Sequence, residues 1–125
     1  MMRTKSTAIV LTGIMALFSS SAFAASMPAE IFQPRDAEVV KAERQNDGEF
    51  EAEFRLKAQQ HDVAALAEQI RQHAQHHGFT EMESEIKRED VDLKFKRGSQ
   101  ELEVSIEQKA HGMIEYKADL DASTR

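Results

Sequence analysis

Two histidines one helical turn apart offer the sharpest chemistry in this chain. His73 and His77 stand at i and i+4, so a helix through them sets both imidazoles on one side, where together they could ligate a divalent transition metal. His76 is their neighbour in the chain, and His61 and His111 can join only if the tertiary fold brings them there. Two ligands do not complete a site. The chain has no cysteine, and no HExxH pattern supplies the rest. The competing reading is a set of solvated imidazoles near a helix C-terminus, where the helix dipole favours positive charge.

The carboxylates offer acid–base chemistry at first sight, but they alternate too regularly. Glu49, Glu51 and Glu53, and again Glu81, Glu83 and Glu85, read as the wet face of a strand, whereas a general acid needs burial to bring its pKa toward neutrality. Asp119-Leu120-Asp121-Ala122-Ser123 opens like a calcium loop yet lacks the later glycine and the closing glutamate. Ser84, Ser99 and Ser105 fall at a core position, a tight turn and a strand face, with no Gly-x-Ser-x-Gly elbow around them. No glycine-rich phosphate loop is present. The expectation is therefore a non-catalytic protein with no cofactor, and with His73 and His77 as its candidate metal ligands.

The elements that would position these residues are legible. Phe50, Ala52, Phe54 and Leu56 alternate with charged neighbours, the two-residue period of a half-buried strand. Asp62 reads as an N-cap, and Val63, Leu66, Ala67, Ile70 and Ala74 follow at helical spacing. The helix runs to about His77, with Gly78 at the left-handed cap and Phe79 folding back on Ala74. The two-residue period then returns at Met82, Ser84 and Ile86, at Val91, Leu93 and Phe95, at Leu102, Val104 and Ile106, and in a last strand at Ile114, Tyr116, Ala118 and Leu120. Residues 36–44 fit a strand or a helical turn.

Charge ladders predict the pairing. A turn at Gly98-Ser99 sets Lys96 opposite Glu101 and Lys94 opposite Glu103, and aligns Phe95 with Leu102, Leu93 with Val104 and Val91 with Ile106. A turn at Glu89-Asp90 sets Lys87 against Asp92, Glu85 against Lys94, Glu83 against Lys96 and Ile86 against Leu93. The hairpin around Ala110-His111-Gly112 has no unique register. A right-handed crossover through the helix makes the strands on either side of it parallel, adjacent or not.

These elements make one α+β domain over residues 35–122: an antiparallel sheet of five or six strands with one amphipathic helix packed on one face. A helix is about 10 Å across, while such a sheet is roughly 24–29 Å wide. The rest of its apolar face must be hidden by curling, by the extended N-terminal arm of residues 25–34 with Ile31 and Phe32, or by another polypeptide. A protein partner or a second copy could dock on that sheet face or on an unpaired edge strand.

Residues 1–24 carry Arg3 and Lys5, an apolar run from Ala8 to Phe18, and Ala22-Phe23-Ala24, the three zones of a cleavable signal peptide. Ser19, Ser20 and Ser21 end the run short of the roughly 20 residues a membrane span needs. The expected product begins at Ala25 and is a soluble periplasmic protein, with full secretion as the minority case. Setting aside the leader's two basic residues leaves 14 Lys and Arg against 22 Asp and Glu, a net charge of −8. That balance excludes nucleic acid and disfavours an anionic membrane surface. Without cysteine there are neither disulfides nor a lipidation site.

Pro34-Arg35-Asp36-Ala37-Glu38-Val39-Val40, Gly78-Phe79-Thr80 and Leu93-Lys94-Phe95-Lys96-Arg97-Gly98 together resemble a pattern of small exported bacterial domains of unknown function, many of them lipoproteins. Those run Pro-x-Ala-x-Val, strand, helix, Gly-Trp or Gly-Phe, then a charged meander. The resemblance implies the fold and no activity. The reading that results is a binding or accessory protein acting on another envelope protein, with a histidine-based metal binder as the alternative.

Overall fold

The computed structural model describes residues 27–122, so the leader expected over residues 1–24 lies outside the described residues. Among them the alternating segments become six strands, β1 (Glu38–Arg44), β2 (Phe50–Lys57), β3 (Thr80–Ile86), β4 (Asp90–Arg97), β5 (Gln100–Lys109) and β6 (Met113–Leu120), and the 3.6-period segment becomes α1 (Val63–His76). The sheet order is β1-β2-β6-β5-β4-β3, antiparallel at every step. Four antiparallel steps separate β2 from β3, so the strands flanking α1 run parallel, three strands apart. The fold is α+β, as the patterning predicts. No helix among the described residues is long and apolar enough to cross a membrane.

Both ends of α1 follow from single residues. The Asp62 carboxylate accepts from the Ala65 amide at 3.1 Å, filling one of the donors a first turn leaves free. Gly78 takes φ +87°, which a side chain would resist, and donates to Gln75 O while Phe79 donates to Ala74 O, both at 3.0 Å. Those two bonds form a Schellman cap, and they deliver Phe79 into the core at 3 % exposure.

The apolar sheet face is closed. Phe50, Phe54, Phe95, Val104, Ile106, Ile114 and Tyr116 are all buried, so the expectation of a partner docking on an open sheet face is corrected. Part of the cover is α1, which lies nearest β3, β4 and β5. The rest is the arm. Ile31 is buried, Met27 and Phe32 pack on the core, and the Tyr116 hydroxyl donates to Phe32 O at 2.8 Å. A fully buried hydroxyl requires such an acceptor, and desolvation pushes the Tyr116 phenol far above its ordinary pKa.

The β4–β5 register is the one the charge ladder predicts, from Val91 opposite Ile106 to Lys96 opposite Glu101. The β3–β4 register is not. Ile86 faces Val91, Glu85 faces Asp92 and Glu83 faces Lys94, a displacement of two residues from the complementary ladder. The turn centres on Arg88-Glu89, with Lys87 N donating to Asp90 O at 2.8 Å, and Gln108 N pins Glu89 O at 2.9 Å. The lengthened β5 thus fixes the turn, and backbone bonds outweigh exposed ion pairs of a few tenths of a kcal/mol each, ~0.2–1. A bulge between Glu81 and Glu83 then sets Glu81 opposite Phe95, where it pairs with Arg71 of α1 at 2.8 Å. Met82 and Ile86, expected in a buried row with Ser84, are instead 55 % and 47 % exposed. Residues 38–44 resolve as a strand. The last hairpin pairs Lys109 with Met113 through a turn in which His111 adopts φ 64°.

Candidate functional site

The structure brings the predicted histidine pair together without completing a metal site. His73 and His77 have ring centroids 4.5 Å apart, and exposed His76 lies 5.8 Å from His77. His73 Nε2 is 2.8 Å from the Ala29 carbonyl oxygen, and the ring sits edge-on to Phe32 at 5.5 Å. A carbonyl only accepts, so that nitrogen carries hydrogen and is lost to metal while the arm is docked. No group of three or more His, Asp or Glu among the described residues could hold a metal ion. His111 belongs to the turn whose Gly112 O accepts from Ala58 N, at the opposite end of α1, about 21 Å away along a 14-residue helix. His61 precedes the N-cap at that same end, its Nε2 buried without a partner among the described residues.

The histidines instead frame an arginine that fastens the arm. Arg97 donates to His77 O at 2.7 Å, to Gln100 Oε1 at 2.7 Å and to Glu30 Oε2 at 3.0 Å, with its guanidinium 4.5 Å over the Phe79 ring. Gln100 completes the set by donating to Asp121 O at 3.0 Å. Arg97 and Gln100 were not among the predicted site residues. One signal marks them: both stand in the apolar phase of their strands, with Phe95 and Leu102, and opposite each other.

This cluster predicts acid sensitivity. Burial, then the nearby His73 and His76, hold His77 below the ordinary imidazole value of 6.5, so the unfolded chain takes the proton first and stability falls as pH drops through and below 6.5. Burial works against ionising Glu30, but the hydrogen bond from Arg97, a backbone hydrogen bond and the charges of Arg97 and His77 together outweigh it and hold that carboxyl below 4.5. Its contribution is present above 4.5 and is lost as pH falls through its folded value. Urea unfolding midpoints should therefore decline from pH 7.5 to 5.5, and His77→Gln should shrink that decline. An unchanged slope in the variant would remove His77 as the cause.

One of the two edges of the sheet is β3. The Lys87–Asp90 bond identifies its register as hydrogen-bonded, so by strict alternation Glu85 and Glu83 bond to β4 while the amide and carbonyl of Ser84 and Ile86 point away from the sheet. Those groups have no partner among the described residues. Beside them lie the exposed Met82 and Ile86. On the charged face a groove of about 610 Å³ opens next to this edge, with Glu83, Glu85, Asp92, Glu103 and Asp119 against Lys94 and Lys117. Five carboxylates face two ammonium groups there. Burial, then Glu51 and Glu103, raise the Asp119 carboxyl above its ordinary value, a sign of crowded negative charge.

No family model, curated protein or solved structure matches this chain. Function must be read from the surface itself. The opposite edge, β1, is neutralised: Lys41 binds Glu51 at 2.7 Å and Glu43 at 3.8 Å, and Arg55 of β2 meets Glu38 at 3.8 Å. On the β3 side neither Glu83 nor Asp92 has an ion-pair partner among the described residues. The two edges of one sheet thus differ in charge: both leave outward backbone groups and an exposed apolar side chain, Val40 on β1 and Met82 and Ile86 on β3, but the carboxylates of β1 are paired, whereas Glu83 and Asp92 beside the β3 edge are not.

Proposed function

We propose that this is a non-catalytic, exported binding protein that takes an extended segment of another envelope polypeptide onto the β3 edge as a seventh strand. The observation that carries the reading is the row of outward backbone groups at Ser84 and Ile86 beside the exposed Met82 and Ile86. An edge of this kind is a template for an added strand. The leader zones at residues 1–24 support a periplasmic setting, and the net charge supports a protein partner over nucleic acid. Metal binding by His73 and His77 has less support, because the docked arm occupies His73 Nε2.

The test removes one outward amide without touching the β4 ladder. Ser84→Pro deletes a donor that faces solvent, a place where edge strands tolerate proline, and Ser84→Ala keeps it. Three eight-residue peptides serve as probes, alternating valine with lysine, with serine or with glutamate. At least one should bind the purified protein by calorimetry. That binding should survive Ser84→Ala and disappear in Ser84→Pro, with circular dichroism unchanged in both. Binding that Ser84→Pro leaves intact, or no binding by any probe, would refute strand addition.

A further inference from the structure

Resting on that reading, we infer that the segment β3 accepts is cationic, carrying lysine or arginine at alternate positions with apolar residues between them. A strand added beside β3 places its side chains about 4.8 Å from those of Glu83 and Glu85 on one face and of Ser84 and Ile86 on the other. On the first face the recipient is short of positive charge. Glu85 stands directly opposite Asp92 across β3–β4, a like-charged pair of the kind that destabilises a sheet. Its only cation within ion-pair distance among the described residues is Lys87, 3.5 Å from Glu85 and itself 66 % exposed. Lys94, opposite Glu83, turns instead toward Glu103 at 3.6 Å. On the second face Ile86 is half exposed beside fully buried Val91, which suits an apolar side chain.

The same charges argue against a second copy. Full antiparallel overlap of Thr80–Ile86 with itself sets Glu83 opposite the other Glu83, with no cation inside the overlap. A copy in that register adds carboxylate to carboxylate, whereas a cationic segment relieves the conflict. A sequence that gives up the complementary ladder to hold Glu85 against Asp92 departs from local consistency, and such departures concentrate at functional sites.

The lysine peptide should bind at least about tenfold tighter than the glutamate peptide, and raising salt from 50 to 500 mM should cost it roughly tenfold, as expected for exposed charges. Glu83→Lys combined with Glu85→Lys, both at exposed positions, should invert the preference with the circular dichroism spectrum retained. Equal affinity for all three peptides, abolished by Ser84→Pro, would overturn the charge inference while leaving strand addition standing. No binding by any peptide would overturn both. A Ser84→Pro-sensitive dimer in sedimentation would replace the cationic partner with a second copy and so defeat the inference.

Discussion

Arg97→Ala should destabilise the protein by about 2–4 kcal/mol and free the arm. Arg97 makes three charge-assisted hydrogen bonds, to His77 O, Glu30 and Gln100, and covers the Phe79 ring at 4.5 Å. Truncation leaves the buried Gln100, 8 % exposed, without its acceptor role, and an unsatisfied buried group costs about 1–3 kcal/mol. The lost stacking adds roughly 0.5–2 kcal/mol. The Glu30 ion pair adds least, because its partners are 35 % and 27 % exposed and solvent screens them. Against a total of about 5–15 kcal/mol for a small domain, this is a large share. Urea unfolding should show it, and hydrogen exchange at residues 29–32 should accelerate beyond the global effect. Arg97→Lys should recover less than half, since a point ammonium cannot serve three directions at once. A loss under about 0.5 kcal/mol, within the range of ordinary surface changes, would show that the arm is held by Ile31, by Phe32 and by its contacts with Tyr116 and His73 rather than by Arg97.

The arginine also shows where sequence reading stops. Local signals are legible because their causes are local: Asp62 and Gly78 cap the helix within four residues of their partners, and the Gly98-Ser99 turn sets a register that every β4–β5 pair satisfies. The β3–β4 register depends on Gln108, which reaches Glu89 from a third strand, and no two-strand pattern contains that contact. The bulge at Met82 is equally non-local, since it lets Glu81 meet Arg71 on the helix. Glu30 and Arg97 are 67 residues apart, and periodicity carries no trace of such a pair. At the candidate site the outcome divides the same way. The helix turn that puts His73 beside His77 is visible in spacing, whereas the Ala29 carbonyl that occupies His73 is not. The β3 edge is a possibility in the pattern, but which of its faces is dry depends on how far α1 and the arm extend over the sheet.

Phe54→Ala and Ile86→Ala should therefore differ sharply, although both residues occupy the apolar phase of a strand. Phe54 is fully buried and stacks on Tyr116 with centroids 4.8 Å apart at 17°. Losing it removes the transfer energy of a large ring and leaves a cavity beside Tyr116, about 3–5 kcal/mol in all. The same void loosens Tyr116, whose hydroxyl holds Phe32 O, so arm amides should exchange faster as well. Ile86 lies on the same sheet row, reached from Phe54 through Tyr116, Ile106 and Val91, yet it is 47 % exposed. Its truncation should cost under about 1 kcal/mol, since water already reaches the site and no sealed cavity forms. What Ile86→Ala should change instead is affinity for the lysine–valine peptide, by roughly three- to tenfold, because the apolar contact that folding leaves unmade is made only when a strand arrives. A stability loss near that of Phe54→Ala would place Ile86 in the core and withdraw it from the docking edge.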